Sequence, residues 1–415
     1  FVSIEMIPTE LTDHYVGEFS QSFQDAYHYF IGRLFFNATN MEQAKLYLDR
    51  VKPEGPDYAR AQYVLGLIAV KETGINFTQI TRLTTDEFPK LAQATQFFKQ
   101  AITFAERPKY EQKLRRVREL ANLGIARIAY KLGDLVPSLY DVALYHYRKI
   151  PTDSTSYSEA LYEAAWSYFL KGSFRRGMGI FHTLEGPDWK HHYFPDTYLL
   201  EAQVFLNLCR TKTAEMALDR LQDRYLKHKS QLVLYIDTYN TDTIFDAFVN
   251  KRLERGVDLP RTLRLAVISR PKFHKFYSNV QRYSYEVEEI KRNRDLFGAQ
   301  FTERLLEEAS ELLMTQREEL STTLNTILND LNIELTKLED NMRRMRFEIE
   351  DQNARKLEKQ IASTYDGKAK ESSAKAGDQQ TANLLVGDNY QTWPFEGEFW
   401  ADEINNYRSY LTNLC

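Results

Sequence analysis

The sequence predicts an all-α protein: a helix-turn-helix solenoid, then a long coiled-coil arm and a C-terminal docking helix. Three observations lead there. Helix breakers are scarce, with 17 Gly and 12 Pro in 415 residues, while Leu, Ala, Glu, Lys and Arg are plentiful and favour helix. A small-large-small pattern centred on Gly32 returns at Gly66, 34 residues on, the period of a helical-hairpin repeat. Between Gly298 and Gly367 there is neither Gly nor Pro, and Leu324, Leu328, Leu331, Leu335, Leu338, Met342, Met345 and Ile349 alternate in steps of four and three. That is a heptad seam.

Residues 1–21 lack periodicity and carry Pro8, and they read as a lead-in segment. Five helix pairs follow, through residues 22–229. The first holds Ile31, Gly32 and Phe35, then Ala44, Leu48 and Val51, and closes at Pro56. The second holds Leu65, Gly66 and Ala69 and, past an insertion near residues 73–89, Ala94, Phe98 and Ala101. In the third, Leu120, Leu123, Ile125, Ala126, Tyr130 and Gly133 precede Ala143, Tyr147 and Ile150. The fourth has Leu161, Ala164, Ala165, Tyr168 and Gly172, then Gly177, Phe181 and Leu184, and Ser156 with Glu159 has the capping-box spacing before it. The fifth uses Ala202, Phe205, Ala214, Leu218 and Leu221. Small residues let antiparallel helices approach, and large ones fill the groove left between them. Pro53, Pro56, Pro151, Pro187 and Pro195 fall in the turns.

Residues 230–297 stay helical without the repeat signature. From 261 to 294 they hold a modest basic excess that includes Arg261, Arg264, Arg270, Lys272 and Lys275. Glu286, Glu288 and Glu289 dilute it, so a solvated helix face is the better reading than a nucleic-acid surface. Residues 298–363 form the arm, and a helix over 301–362 would run about 90 Å. Its stripe needs cover, most simply from residues 273–297 folded back antiparallel. Failing that, the chain would oligomerise through residues 301–362. Residues 364–388, rich in Ala, Lys, Ser, Gly and Asp, read as a flexible linker. Residues 389–415, with Trp393, Phe395, Phe399 and Trp400, read as an aromatic segment that docks back on the helical body.

The set Gly32, Phe35, Ala44, Leu48, Val51 and Pro56 resembles a tetratricopeptide repeat, and the fourth and fifth pairs are similar. The resemblance covers residues 22–229. Where that family places a Trp, this chain has His28, Gln62 or Leu161. The resemblance implies an α-solenoid whose concave face, lined by the first helices, binds partner proteins. The lining positions are Tyr29, Arg33 and Asn37; Tyr63, Leu67 and Lys71; Arg127 and Lys131; Tyr162, Trp166 and Phe169; and Gln203 and Asn207. Arginines mixed with aromatics suit a peptide or helix held in a groove; the alternative is that the aromatics fill the superhelix, and for Phe169 the two readings weigh equally. The Lys and Asn set with which the family grips a free C-terminus is not reproduced. The layout of repeats, heptad helix and aromatic ending is also similar to exported repeat proteins of gliding and predatory delta-proteobacteria. That similarity implies a periplasmic or outer-membrane-associated scaffold in motility or envelope machinery, with a cytoplasmic location as the alternative.

The chain shows no Gly-rich phosphate loop, nucleophile elbow or metalloprotease helix. The expectation is therefore a non-enzymatic scaffold without cofactor, catalytic residue or metal. Net charge is −4, which argues against bulk binding to nucleic acid. No run of 18 apolar residues occurs, so no transmembrane segment is expected. His182, Asp188, His191 and His192 are the densest candidates for chemistry. Adjacent histidines diverge in regular structure and no Cys joins them, so a solvated loop is the plainer reading. A helical ligand- or metal-binding protein or enzyme with its site at His191 and His192 is the alternative, and a nucleic-acid-associated adaptor is another. Cys209 falls where the first helix of the fifth pair would take a small apolar residue. With Cys415 it fits either two reduced thiols or a disulfide that pins the tail.

Overall fold

A computed structural model of the chain describes residues 15–74, 87–186, 188–189, 192–365 and 414–415. Most of the lead-in segment, most of the insertion of the second pair and of the linker, Pro187, His191 and the docking segment before Leu414 lie outside the described residues. Every regular element among the described residues is a helix, in agreement with the all-α class. The chain divides into two compact units, the boundary along the sequence falling between Ile180 and Phe181.

The first unit holds α1 (Gln21–Asn37), α2 (Met41–Leu48), α3 (Pro56–Lys71), α4 (Glu87–Ala105), α5 (Arg115–Leu132), α6 (Leu139–Tyr147) and α7 (Tyr157–Leu170). It also holds the start of α8 (Phe174–Leu184). They lie at the sequence positions expected for the first and second helices of the pairs. Asn40 caps α2 through its side chain, which accepts from the Gln43 amide at 3.2 Å. Pro56 opens α3 in the first turn, where its missing N–H costs nothing.

The small residues sit where large ones press against them. A Cβ on Gly32 would lie 2.7 Å from Leu48 Cγ, and one on Gly133 would lie 2.5 Å from the Tyr140 ring. Around these contacts Ala44, Leu48, Ala61, Leu65 and Ile68 form one apolar cluster. Leu91, Ala94, Phe98, Ala101, Ala121 and Ile125 form the next. The first helices α1 and α3, and α3 and α5, pack on each other directly.

Ser156 stands at the N-cap of α7 but does not cap it. Its hydroxyl is buried and accepts from Arg116 Nη1 at 2.9 Å. The capping-box spacing thus marks the helix start while its side chain serves a contact between helices.

The second unit contains α9 (Asp196–Asn207), α10 (Thr211–Arg224), a 3₁₀ turn (Leu226–His228), α11 (Lys229–Thr238) and α12 (Ile244–Phe248). It continues with α13 (Arg261–Ile268), α14 (Pro271–Arg292), α15 (Arg294–Phe297) and α16 (Ala299–Tyr365). Gly298, at φ +80°, makes the reversal between α15 and α16 in a backbone conformation that other residues rarely adopt. As expected, α14 folds back antiparallel on α16: Asn279 bonds Gln316 at 2.8 Å and Arg270 pairs Glu334 at 2.6 Å.

The heptad residues from Leu324 to Ile349 are all buried. Helices α9 to α14 pack on α16, and Lys229–Glu339 (2.7 Å) and Arg346–Asp219 (2.7 Å) flank the seam. The stripe of the long helix is thus covered within its own unit, by α14 as expected and by α9–α13 besides. The fifth helix pair falls in the same compact unit as α11–α16.

Cys209 lies in the turn after α9 at φ 53°, not on the helix, and is joined by a disulfide to Cys415 with Cα atoms 5.1 Å apart. Beside it the Leu414 amide donates to Leu208 O at 3.0 Å. No helix among the described residues is long and apolar enough to cross a membrane.

Candidate binding groove

Three successive first helices, α3, α5 and α7, bring one face of the first unit together. Helical spacing decides which side chains meet there: Tyr63, Leu67 and Val70 on α3, Leu120, Leu123, Arg127 and Lys131 on α5, and Tyr162, Glu163 and Trp166 on α7. Phe98 and Tyr147 reach in from second helices, and Gly124, Ile128 and Tyr130 complete the wall. They enclose an open cavity of about 540 Å³, within the usual range for ligand sites.

At its centre Arg127 forks onto Glu163, with Nε 3.0 Å from both carboxylate oxygens and Nη2 2.8 Å from Oε1. Arg127 Nη2 also lies 2.7 Å from Glu159 Oε1. Burial opposes the Arg127 charge, but hydrogen bonds and charge from Glu163, helped by Glu159, hold its pKa above the ordinary guanidinium value. Burial pushes the Glu163 carboxyl up, and Arg127 pulls it part of the way back.

The Tyr147 hydroxyl is buried close to Glu163 without closing an ordinary hydrogen bond. Burial, with Glu163 next, raises its pKa. Tyr130 is pushed up to about 12 by burial and then by Asp134 and Glu163, and burial also raises Tyr63. These phenols therefore stay protonated at neutral pH. The walls can hold an apolar or aromatic side chain, while the polar floor can fix its orientation.

Of the residues expected on a concave face, Tyr63, Leu67, Arg127, Lys131, Tyr162 and Trp166 meet at this cavity. The others do not. Tyr29 packs into the core with Ala44 and Leu65. Arg33, Asn37 and Lys71 are exposed and line no part of the cavity. Asn207 lies in the second unit, where it accepts from Gln203 at 3.2 Å. Phe169 fills space, edge-on to Trp166 and against Phe174.

Sequence reasoning missed Glu163, Tyr130 and Tyr147. The available signal was the separation of 36 residues between Arg127 and Glu163, close to one repeat, which sets opposite charges at matching positions of neighbouring helices.

Elsewhere, the His192 ring stacks on Phe194, and no group of three or more His, Cys, Asp or Glu side chains among the described residues is placed to hold a metal. The basic stretch is partly spent internally: Arg264 donates to Phe248 O at 2.7 Å and Arg270 pairs Glu334. Arg282, Lys291 and Arg292 pair Glu286, Glu288 and Glu289 in turn along α14. Comparison with protein families, with curated proteins and with solved structures finds no match.

Proposed function

We propose that this protein is a non-enzymatic scaffold that holds a partner segment in the groove formed by α3, α5 and α7. One observation carries the reading: six residues expected to line a concave face, drawn from three helix pairs, converge on a single open cavity with aromatic walls and a charged floor. Aromatic anchors and arginine are the residue types that concentrate binding energy at protein interfaces. The segment this chemistry favours is a helix or extended peptide that offers an apolar or aromatic anchor. A place in bacterial envelope or motility machinery rests on the layout of the sequence alone.

The test is affinity capture from the native source with the full chain, compared with Tyr63→Ala and Trp166→Ala variants. Each variant should lose the same subset of partners while keeping its helical circular dichroism. Retention of every partner by both variants would overturn the reading.

A further inference from the structure

The second unit has its own cavity, of about 570 Å³, beside the turn that carries His192. Its walls include the rings of Tyr193, Tyr198 and Tyr225. Three guanidinium groups face it, from Arg220 and Arg224 on α10 and Arg261 at the start of α13.

Their situations differ. Arg220 is neutralised within the protein, 2.6 Å from Glu201 and 3.3 Å from Glu185. Arg224 instead donates to the neutral Tyr198 hydroxyl at 2.9 Å and lies over the Tyr225 ring, 5.7 Å from its centroid. Arg261 is exposed and forms no ion pair among the described residues. The lining acids are Glu185, already engaged by Arg220, and Asp223, which is exposed. Two cations thus stand against one uncommitted carboxylate.

The backbone adds to the same field. Helix α13 begins after Pro260, which provides no side-chain cap, and its first turn carries no acid. Its N-terminal N–H groups form the positive end of the helix, and Thr262 brings a hydroxyl to the cavity wall. Two guanidinium forks, a helix N-terminus and a hydroxyl are the donor set that suits a tetrahedral oxyanion. The tyrosine rings and Leu265 beside them suit a flat or apolar body.

We propose that this cavity binds a small phosphate monoester, with the phosphate between Arg224, Arg261 and the start of α13 and an aromatic or apolar body against Tyr193, Tyr198 and Tyr225. It is a ligand site in the second unit, separate from the groove in the first.

The test uses the full chain with phenyl phosphate as probe, followed by calorimetry and by phosphorus resonance broadening. Saturable binding is expected, with inorganic phosphate weaker because it leaves the rings uncovered. Arg224→Gln and Arg261→Gln should each weaken phenyl phosphate by about tenfold or more, as charge-assisted bonds are lost. Arg261 makes no ion pair among the described residues, so its variant keeps the test decisive even if Arg224→Gln fails to fold. Absence of saturable binding, binding unchanged in Arg261→Gln, or inorganic phosphate binding as tightly as phenyl phosphate would each overturn the proposal.

Discussion

Gly66 on α3 faces the ring of Phe98 on α4 so closely that a Cβ in its place would lie 2.5 Å from Cε1. The opposite edge of that ring meets Gly124, where a Cβ would lie 2.7 Å from Cε2. Phe98 is 1% exposed and set in a packed cluster, so the ring cannot swing into solvent. Gly66→Ala gains helix propensity of about 1 kcal/mol, but overpacking of this kind costs about 1–3 kcal/mol. Net destabilisation is expected in urea melts. Gly177 is the internal control, because a Cβ there meets nothing nearer than Ala165 O at 3.6 Å. Gly177→Ala should stabilise by about 0.5–1 kcal/mol. If both substitutions shift the midpoint the same way, close approach is not what the glycine at 66 serves.

The fork between Arg127 and Glu163 makes a second comparison. The carboxylate is mostly covered, but the guanidinium side chain is 45% exposed, so solvent screening keeps the pair well below the value of a fully buried one. A double-mutant cycle with Arg127→Met and Glu163→Gln should give a coupling of about 1–2 kcal/mol. Arg127→Met alone should cost more than the double variant, because it strands Glu163 beside the buried Tyr147 hydroxyl. Purely additive losses would show that the fork is incidental.

These two cases also show how far the sequence could be read. Gly32, Gly66, Ala44, Ala94 and their large partners are local in spacing, so the five helix pairs are visible as periodicity. The groove is visible only in part. Tyr63, Arg127 and Trp166 follow from register along first helices, whereas Tyr147 reaches the cavity from a second helix that register assigns to packing. The heptad seam is equally plain, but periodicity states that a stripe needs cover and not who supplies it. Here the cover comes from helices up to 146 residues away in sequence, as the contact of Gln352 with Leu206 O shows. Cys209 shows the limit at single-residue scale: helical spacing misplaces it by two residues, and its turn conformation brings it to Cys415.

The covered seam predicts a sharp contrast along α16. Leu331 is fully buried, whereas Phe347 is 71% exposed on the same helix. Leu331→Ala should cost about 2–5 kcal/mol through the cavity it leaves, and Phe347→Ala should stay within about 0.5 kcal/mol. Were the seam instead a contact between two copies of the chain, Leu331→Ala would change the sedimentation coefficient in proportion to concentration. A pure loss of thermal stability, independent of concentration, is the expected result.

The two units should respond to acid in opposite directions through one residue each. His146 on α6 is held down to about 4 by burial, with Lys99 and Lys149 adding to the effect, and its Nδ1 lies 2.8 Å from Asn122 Oδ1. A histidine with a depressed pKa contributes stability that is present above its ordinary value of 6.5 and lost as pH falls towards 4. Glu201 on α9 has the opposite character. Burial raises its carboxyl to about 7, with Glu185 adding to the rise and Arg220 opposing it. A raised carboxyl contributes stability that is fully present below the ordinary value of 4.5 and lost as pH rises through 7. Between those limits, acid should therefore loosen the first unit at His146 and tighten the second at Glu201. Hydrogen exchange resolved by helix can follow both units in one sample: amides of α6 should exchange faster on acidification, relative to the intrinsic rate, and those of α9 and α10 more slowly. Glu201→Gln should abolish the second response and leave the first. If α9 and α10 lose protection in parallel with α6 in the wild type, the buried carboxylate is held ionised by Arg220, and the burial of Glu201 does not govern its titration.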